Sequence, residues 1–438
     1  MTIGSITGPR RRTGAAFKLA ALALSMSVAS GGNGGFRAGV YNFCVAVLFD
    51  ATPAQLANIQ TAFTNANKVW ADAMDWQQRW GTITIVNNCT VANKCGSLEI
   101  AEFWILPGQK AAADPAAAWA TLGKYGVRGE HVNMRYRGQS GGGANDNDFD
   151  APTGGGIAFT IAHEMAHHSF GIVDEYSGPG ATAGTTVAAE CAAPPATGSD
   201  PATLNYSIMD NYFTRGGKAS GSIYTLKEFC VRSNHDPDAD TYQTSSNHKS
   251  SWETIGAHPK RSATAPSGLP NTTAPTVADP TFRAGGSGLR SVLVLDDSGS
   301  MAAEDRLVLA KQAANVYIDQ LKVGDQVAVV SFNNSATVRY NLTTIASAAD
   351  KTAAKNAVNA LVAGGTTNIG GGLATGLGIL QTVGTRTCNE VIILLTDGDH
   401  NTGTAPASVI PLLQQDAVTV LTVGLGAGIS TTGQATLQ

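Results

Sequence analysis

Charge is scarce in this chain of 438 residues: only 14% are Asp, Glu, Lys or Arg, and 29 Lys+Arg against 33 Asp+Glu leave a net charge of −4. No basic field exists to hold a nucleic-acid backbone or an anionic membrane surface, which excludes nucleic acid as a partner class. Beyond the first thirty residues no apolar run approaches about 18 residues without polar interruption, so no membrane-spanning helix is expected. No cysteine pair has the CxxC spacing of a structural zinc ribbon. No internal repeat points to a solenoid. What remains is a glycine-rich (50 Gly), 43% hydrophobic, loop-rich globular protein, long enough for at least two domains.

The N-terminus carries Arg10, Arg11, Arg12 and Lys18, then the apolar run Leu19 to Val28, then Ala29, Ser30 and Gly31. That order is the order of an export signal, here residues 1–30, and it implies a secreted or cell-surface protein. Six cysteines agree with an oxidising compartment. Cys89 and Cys95 enclose a short polar loop that a disulfide could close across a hairpin, Cys191 and Cys230 could staple a later segment, and Cys44 and Cys388 have no obvious mates.

From Tyr41 the pattern predicts a strand (Tyr41 to Phe49), an amphipathic helix (Pro53 to Trp76), strands at Gly81 to Val86 and Leu98 to Leu106, a short helix (Ala111 to Leu122) and a strand (His131 to Tyr136). These elements make residues 36–260 a mixed α/β domain. The stretch 261–288, rich in Ala, Ser, Thr, Pro and Gly, reads as a linker. Residues 289–438 then alternate doubly apolar strands (Ser291 to Leu295, Gln326 to Phe332, Glu390 to Leu395, Val418 to Val423) with helices, the pattern of a doubly wound parallel sheet. This fold normally adds a further helix and strand, so the chain reads as cut short at Gln438.

Two constellations carry chemistry. The first is His163-Glu164-Met165-Ala166-His167, entered from a glycine-rich stretch onto a helix with apolar Ile157, Ile161 and Met165. Its i, i+4 spacing puts both imidazoles on one face, where they can hold one Zn²⁺ with Glu164 beside it as general base. Gly171 can end that helix, and the acids Asp174 and Glu175 follow. Neighbours in an extended segment face opposite sides, so only one of them can be the third ligand. His168 points to a different helix face and reads as a packing or surface residue. Met209, in Ser207-Ile208-Met209-Asp210, reads as packing in a turn, and His235 is kept as a candidate for transition-state stabilisation. Asp146, Asp148 and Asp150, and Asp236, Asp238 and Asp240, alternate like calcium loops but lack the glycine and distal glutamate of an EF-hand, so they read as solvated turns.

The second constellation begins where the buried strand Val292 to Leu295 runs into Asp296-Asp297-Ser298-Gly299-Ser300. Gly364-Gly365-Thr366-Thr367-Asn368 and Leu395-Thr396-Asp397-Gly398 fall at strand-to-helix junctions expected on the same carboxyl edge. Two carboxylates and three hydroxyls make an all-oxygen cage suited to Mg²⁺ (or Mn²⁺ or Ca²⁺), with one position left for a partner's carboxylate. No nucleophile and base accompany it, so it reads as a binding module.

The order HEMAHHSFGIVDEY, Glu228-Phe229-Cys230, Ser233-Asn234-His235, Ser251-Trp252-Glu253-Thr254-Ile255, LDDSGSM, GGTTNIGGGL and LLTDGDHN resembles the calcium-activated chloride channel regulator family. The resemblance implies a zincin-like α+β metallopeptidase domain followed by a Rossmann-like doubly wound von Willebrand factor A domain. It implies that His163, His167 and Asp174 hold zinc with Glu164 catalytic. It also implies that Ser298, Ser300 and Thr367 hold Mg²⁺ directly, with Asp296 and Asp397 acting through water. The expected function is a secreted zinc endopeptidase, able to process itself, whose second domain binds a protein partner through metal. The alternative is a non-catalytic adhesion or regulatory protein that binds partners through the adhesion site.

Overall fold

The computed structural model describes residues 35–37, 39–93, 95, 97–109, 118–127, 129–137, 148–152, 156–175, 207–209, 229–231, 242–265, 277–286, 288–381, 386–416 and 418–426. They fall in two compact units, Gly34–Ala284 and Gly285–Gln438. The export signal, Cys191, His235 and the acids Asp146, Asp236, Asp238 and Asp240 lie outside the described residues.

In the first unit, β1 (Gly35–Arg37) pairs antiparallel with β2 (Val40–Val47). Parallel to β2 on its two sides run β3 (Arg79–Val86) and β4 (Phe103–Gln109). β6 (Val132–Arg137) continues the parallel order beyond β4, and β5 (Ala118–Ala120) closes that side antiparallel. Helix α1 (Pro53–Ala73) starts at a capping box, Thr52 with Gln55, which satisfies two helix-end groups reciprocally. Phe43, Phe63, Trp70, Trp80 and Phe103 form the aromatic centre of the core, with ring centroids 5.1 to 6.1 Å apart in the pairs that touch. Helix α2 (Gly156–Phe170) packs against α1 and is buried along nearly its whole length. Two short helices, α3 (Tyr242–Asn247) and α4 (Ser251–Gly256), complete the described part of this unit.

Three expectations for this unit need correcting. Ala118–Ala120, read as part of a helix, is a strand: alanine's helix propensity loses to backbone pairing with Val132 to Met134. The residues read as linker include β7 (Thr281–Gly286), whose Thr281 to Ala284 pair in parallel with Thr82 to Ile85 of β3. The Cys89–Cys95 disulfide is present, but β2 lies between β3 and β4, so it closes a loop and not a hairpin. Cys44, Cys230 and Cys388 are also disulfide-bonded, so Cys44 and Cys388 do have mates.

The second unit is a five-stranded sheet in the order β10-β9-β8-β12-β13. Its strands are β8 (Arg290–Asp296), β9 (Gln326–Phe332), β10 (Ala336–Thr344), β12 (Glu390–Thr396) and β13 (Thr419–Gly424); the two-residue β11 (Arg386–Thr387) is not part of this sheet. All neighbours on the path are parallel except β10, an antiparallel edge strand. Every residue of β8 is buried, as a central strand covered on both faces requires. One core, around Leu293, Leu295 and Val329, lies under α5 (Arg306–Gln320) and α6 (Ala348–Asn359). The other, around Val292, Val294 and Phe332, lies under α7 (Ile369–Gln381) and α8 (Pro406–Gln415). The chain leaves β8 toward β9 on one side and later returns to β12 on the other, so the crevice at the carboxyl ends of β8 and β12 is the topological switch point where such sheets bind ligands.

Candidate metal centres

Helix α2 ends at Gly171, whose φ of +70° is the left-handed conformation that glycine adopts without strain. The turn brings the Ile172 carbonyl to 2.6 Å from His167 Nδ1. His163 Nδ1 lies 2.7 Å from the Ile208 carbonyl. A carbonyl only accepts, so both rings carry the proton on Nδ1 and turn the Nε2 lone pair outward, the tautomer a metal ligand needs. The two Nε2 atoms are 3.0 Å apart, and Asp174 Oδ1 is 3.3 Å from each.

This geometry is a test of fit for zinc. At a Zn–N distance of about 2.05 Å, tetrahedral ligand atoms stand about 3.3 Å from one another. Asp174 Oδ1 is buried and, unless a proton on His163 reaches it, faces two ring-nitrogen lone pairs with no hydrogen bond of its own. Such an orphaned acceptor is costly unless a cation satisfies it. The residues fit the metal: His163, His167 and Asp174 are the one group of three or more His, Cys, Asp or Glu side chains whose ligand atoms converge among the described residues.

Glu164 is buried on the same helix. Burial raises its carboxyl above the usual range, His167 and His163 pull it back, and Asp174 pushes it up again. Burial depresses His163, but the bond and charge of Asp174 outweigh it and carry the imidazole up to about 9. Burial would raise Asp174, but bonds and charge from the two histidines hold it far below its normal value.

Glu175 does not join the group that converges with Asp174. It is fully buried, accepts a 2.6 Å bond from Ser251 Oγ and donates its backbone N–H to the Met209 carbonyl. Ser251 is set in place by the capping box of Ser250 and Glu253 that starts α4. His168, which could have been a surface residue, is fully buried, with Nε2 2.8 Å from Glu102 Oε2 and Nδ1 2.9 Å from the Thr121 carbonyl. Met209 is buried in the segment whose Ile208 orients His163. Asp148, expected in a solvated turn, is buried and accepts from Asp150 N, whereas Asp150 is exposed and binds Tyr136 and Arg137.

In the second unit the register of β8 and β12 sets Asp296 beside Thr396, whose hydroxyl donates to Asp296 Oδ2 at 2.5 Å. Asp296 Oδ1 accepts from Ser298 N at 2.8 Å, so both its oxygens are engaged. Burial raises its carboxyl, against those bonds. Ser298 Oγ and Ser300 Oγ stand 3.2 Å apart, and Ser300 Oγ donates to Asp397 Oδ1 at 2.9 Å. Adjacent oxygens around an octahedral Mg²⁺ at about 2.1 Å lie about 3 Å apart, so these hydroxyls fit that ion.

The Gly364–Asn368 loop is tied to the first loop by Gly364 N to the Asp297 carbonyl and Gly299 N to the Gly365 carbonyl. It is tied to the third by Thr367 N to Asn401 Oδ1 and Asn401 N to the Thr367 carbonyl. Asp296, Ser298, Thr367 and Asp397 are all buried, on three loops joined at one sheet edge. Sequence reasoning missed Thr396, Asn401 and Arg306, whose guanidinium pairs with Asp397; only their nearness to the TDG motif or to the DxSxS helix hinted at them.

The comparisons with known proteins agree with this picture of the second unit. Residues 292–436 match the von Willebrand factor type A domain. Calcium-activated chloride channel regulator 1 of Bos taurus is 31% identical over 312 residues, 63% of this chain and 33% of that protein. The Sus scrofa protein of the same name is 35% identical over 208 residues, 47% of this chain and 22% of the relative. Among solved structures, a von Willebrand factor type A protein from Catenulispora acidiphila is 32% identical, with a TM-score of 0.31, over 34% of this chain and 35% of that one. The chain thus spans a third or less of the length of these curated relatives. Its curated homologues are calcium-activated chloride channel regulators, and a von Willebrand factor type A domain is present in it.

Proposed function

We propose that this chain is an adhesion or regulatory protein that holds a protein partner through a divalent cation at the carboxyl edge of its von Willebrand factor A domain. One observation carries the reading: Ser298, Ser300 and Asp397 converge at hydrogen-bonding distance from loops far apart in sequence, beside a buried Asp296. Ser298, Ser300 and Thr367 supply neutral oxygens to Mg²⁺ (or Mn²⁺ or Ca²⁺), and Asp296 and Asp397 supply charge while hydrogen bonds hold them still. Neutral direct donors leave the cation electron-poor, so it takes a carboxylate from the partner strongly. Mg²⁺ should raise the melting temperature of the chain, since it binds the folded form alone, and Asp296→Ala should remove that rise. A rise undiminished in Asp296→Ala would reject the site.

A second reading is favoured by the triad of the first unit: a zinc-dependent endopeptidase. His163, His167 and Asp174 would hold the ion, whose chemistry, when bound, is to acidify a water and polarise the scissile carbonyl. Glu164, buried and with its carboxyl raised above the usual carboxylate range by that burial, would take the proton and return it to the leaving amine. The Ile208 and Ile172 carbonyls keep both histidines in the ligating tautomer. Cleavage of an unstructured peptide library by the zinc-loaded chain tests this, with Glu164→Gln expected to keep zinc and lose activity by orders of magnitude. Equal turnover in that variant would end the reading.

Secretion is part of the proposal. Its supports are the disulfide-bonded cysteines and the export-like order of residues 1–30. No helix among the described residues is long and apolar enough to cross a membrane.

A further inference from the structure

Asp397 does not face the adhesion site alone. Its Oδ1 accepts from Ser300, and its Oδ2 accepts a 2.5 Å charged hydrogen bond from Arg306 Nη1. The guanidinium is held by its surroundings. Glu304 and Asp305 take left-handed conformations, with φ of 52° and 57°, an uncommon pair for non-glycine residues that sets Arg306 as the first residue of α5. Glu304 Oε2 holds Nη2 at 3.1 Å from the solvent side. Gly426, at φ +95°, leaves the slot open: a Cβ there would lie 2.7 Å from Arg306 Nε. The side chain is 16% exposed and the Asp397 side chain is fully buried, so the pair is poorly screened.

We infer that Arg306 is a positioning residue that attenuates the charge of the adhesion site and so keeps its cation affinity low until a partner supplies a further carboxylate. This rests on the reading of that edge as a divalent-cation site. Of the other charged groups nearby, Asp297 is paired with Arg339, which leaves Asp296 and Asp397 as the site's own charge. Glu304 is more than half exposed and screened by water, whereas Asp397 is fully buried, so the permanent guanidinium acts mainly on Asp397: it cancels about half of that charge and adds like-sign repulsion to the incoming ion. A partner carboxylate restores the balance. Cation and partner then bind cooperatively instead of the cation residing permanently.

The test is calorimetric titration of MgCl₂ into the full chain, previously loaded with zinc, with Asp296→Ala marking which uptake belongs to this site. Arg306→Gln should bind Mg²⁺ about tenfold more tightly than the wild type or better. Arg306→Ala should do the same and serves if the Gln variant does not fold. Arg306→Lys, which keeps the charge, should return the affinity to within about threefold of the wild type, a rescue that a purely structural role does not predict. Neutral variants that bind Mg²⁺ no more tightly, with uptake still lost in Asp296→Ala, would overturn the role of Arg306 and leave the cation site standing. No Asp296-dependent uptake in the wild type or the neutral variants would overturn both.

Discussion

Exchanging Asp174 and Glu175 for alanine separates two adjacent acids to which the structure gives opposite duties. Asp174 Oδ1 stands 3.3 Å from both ligand nitrogens and has no hydrogen bond of its own. A zinc site of four protein ligands binds with about 10–16 kcal/mol, so one ligand accounts for about 3 kcal/mol, or about two orders of magnitude in dissociation constant. Asp174→Ala should therefore weaken zinc about a hundredfold in competition with a fluorescent chelator. Glu175→Ala should keep zinc within a few-fold. It should instead destabilise the fold by about 1–3 kcal/mol, because it strips Ser251 of a buried acceptor. Retention of zinc by Asp174→Ala with loss in Glu175→Ala would refute the reasoning.

Zinc affinity should rise with pH. His163, carried up to about 9 by Asp174, must lose its proton to bind metal, so affinity should climb about tenfold per unit between pH 7 and 9 and flatten above; an affinity independent of pH there would contradict the raised imidazole. In the zinc-free chain that same raised value stabilises the fold below about pH 6.5 and fades as pH rises through about 9, which pH-dependent chemical denaturation would follow. Glu390→Ala should destabilise the second unit by about 3–5 kcal/mol in denaturant melts, because it leaves buried Arg290 without its 2.6 Å partner.

What the sequence made legible followed from strong local patterns. The doubly apolar runs Val292 to Leu295 and Glu390 to Leu395 are adjacent central strands, and the HExxH spacing on α2 leaves little freedom in where the two imidazoles point. Weaker patterns failed for physical reasons. Ala118–Ala120 is held by pairing to β6, which composition does not encode. β10 is an exposed edge strand with no continuous apolar face, so its nine residues gave no periodic signal. The buried Glu102–His168 pair joins residues 66 apart, and the Arg306–Asp397 pair residues 91 apart; a charge reads as a surface group until the chain is folded around it. Glu175 illustrates the same limit: alternation says that one acid of the pair turns away from the metal, but only the fold shows that it turns into the core.

The central claim, that the second unit grips protein partners through a cation held by Asp296, Ser298, Ser300, Thr367 and Asp397, is tested most directly by retention of secreted proteins on the immobilised chain. Retention is expected in millimolar Mg²⁺, with release by chelator and none on an Asp296→Ala surface whose zinc content is unchanged. Equal retention in excess chelator, or on the Asp296→Ala surface, would contradict it.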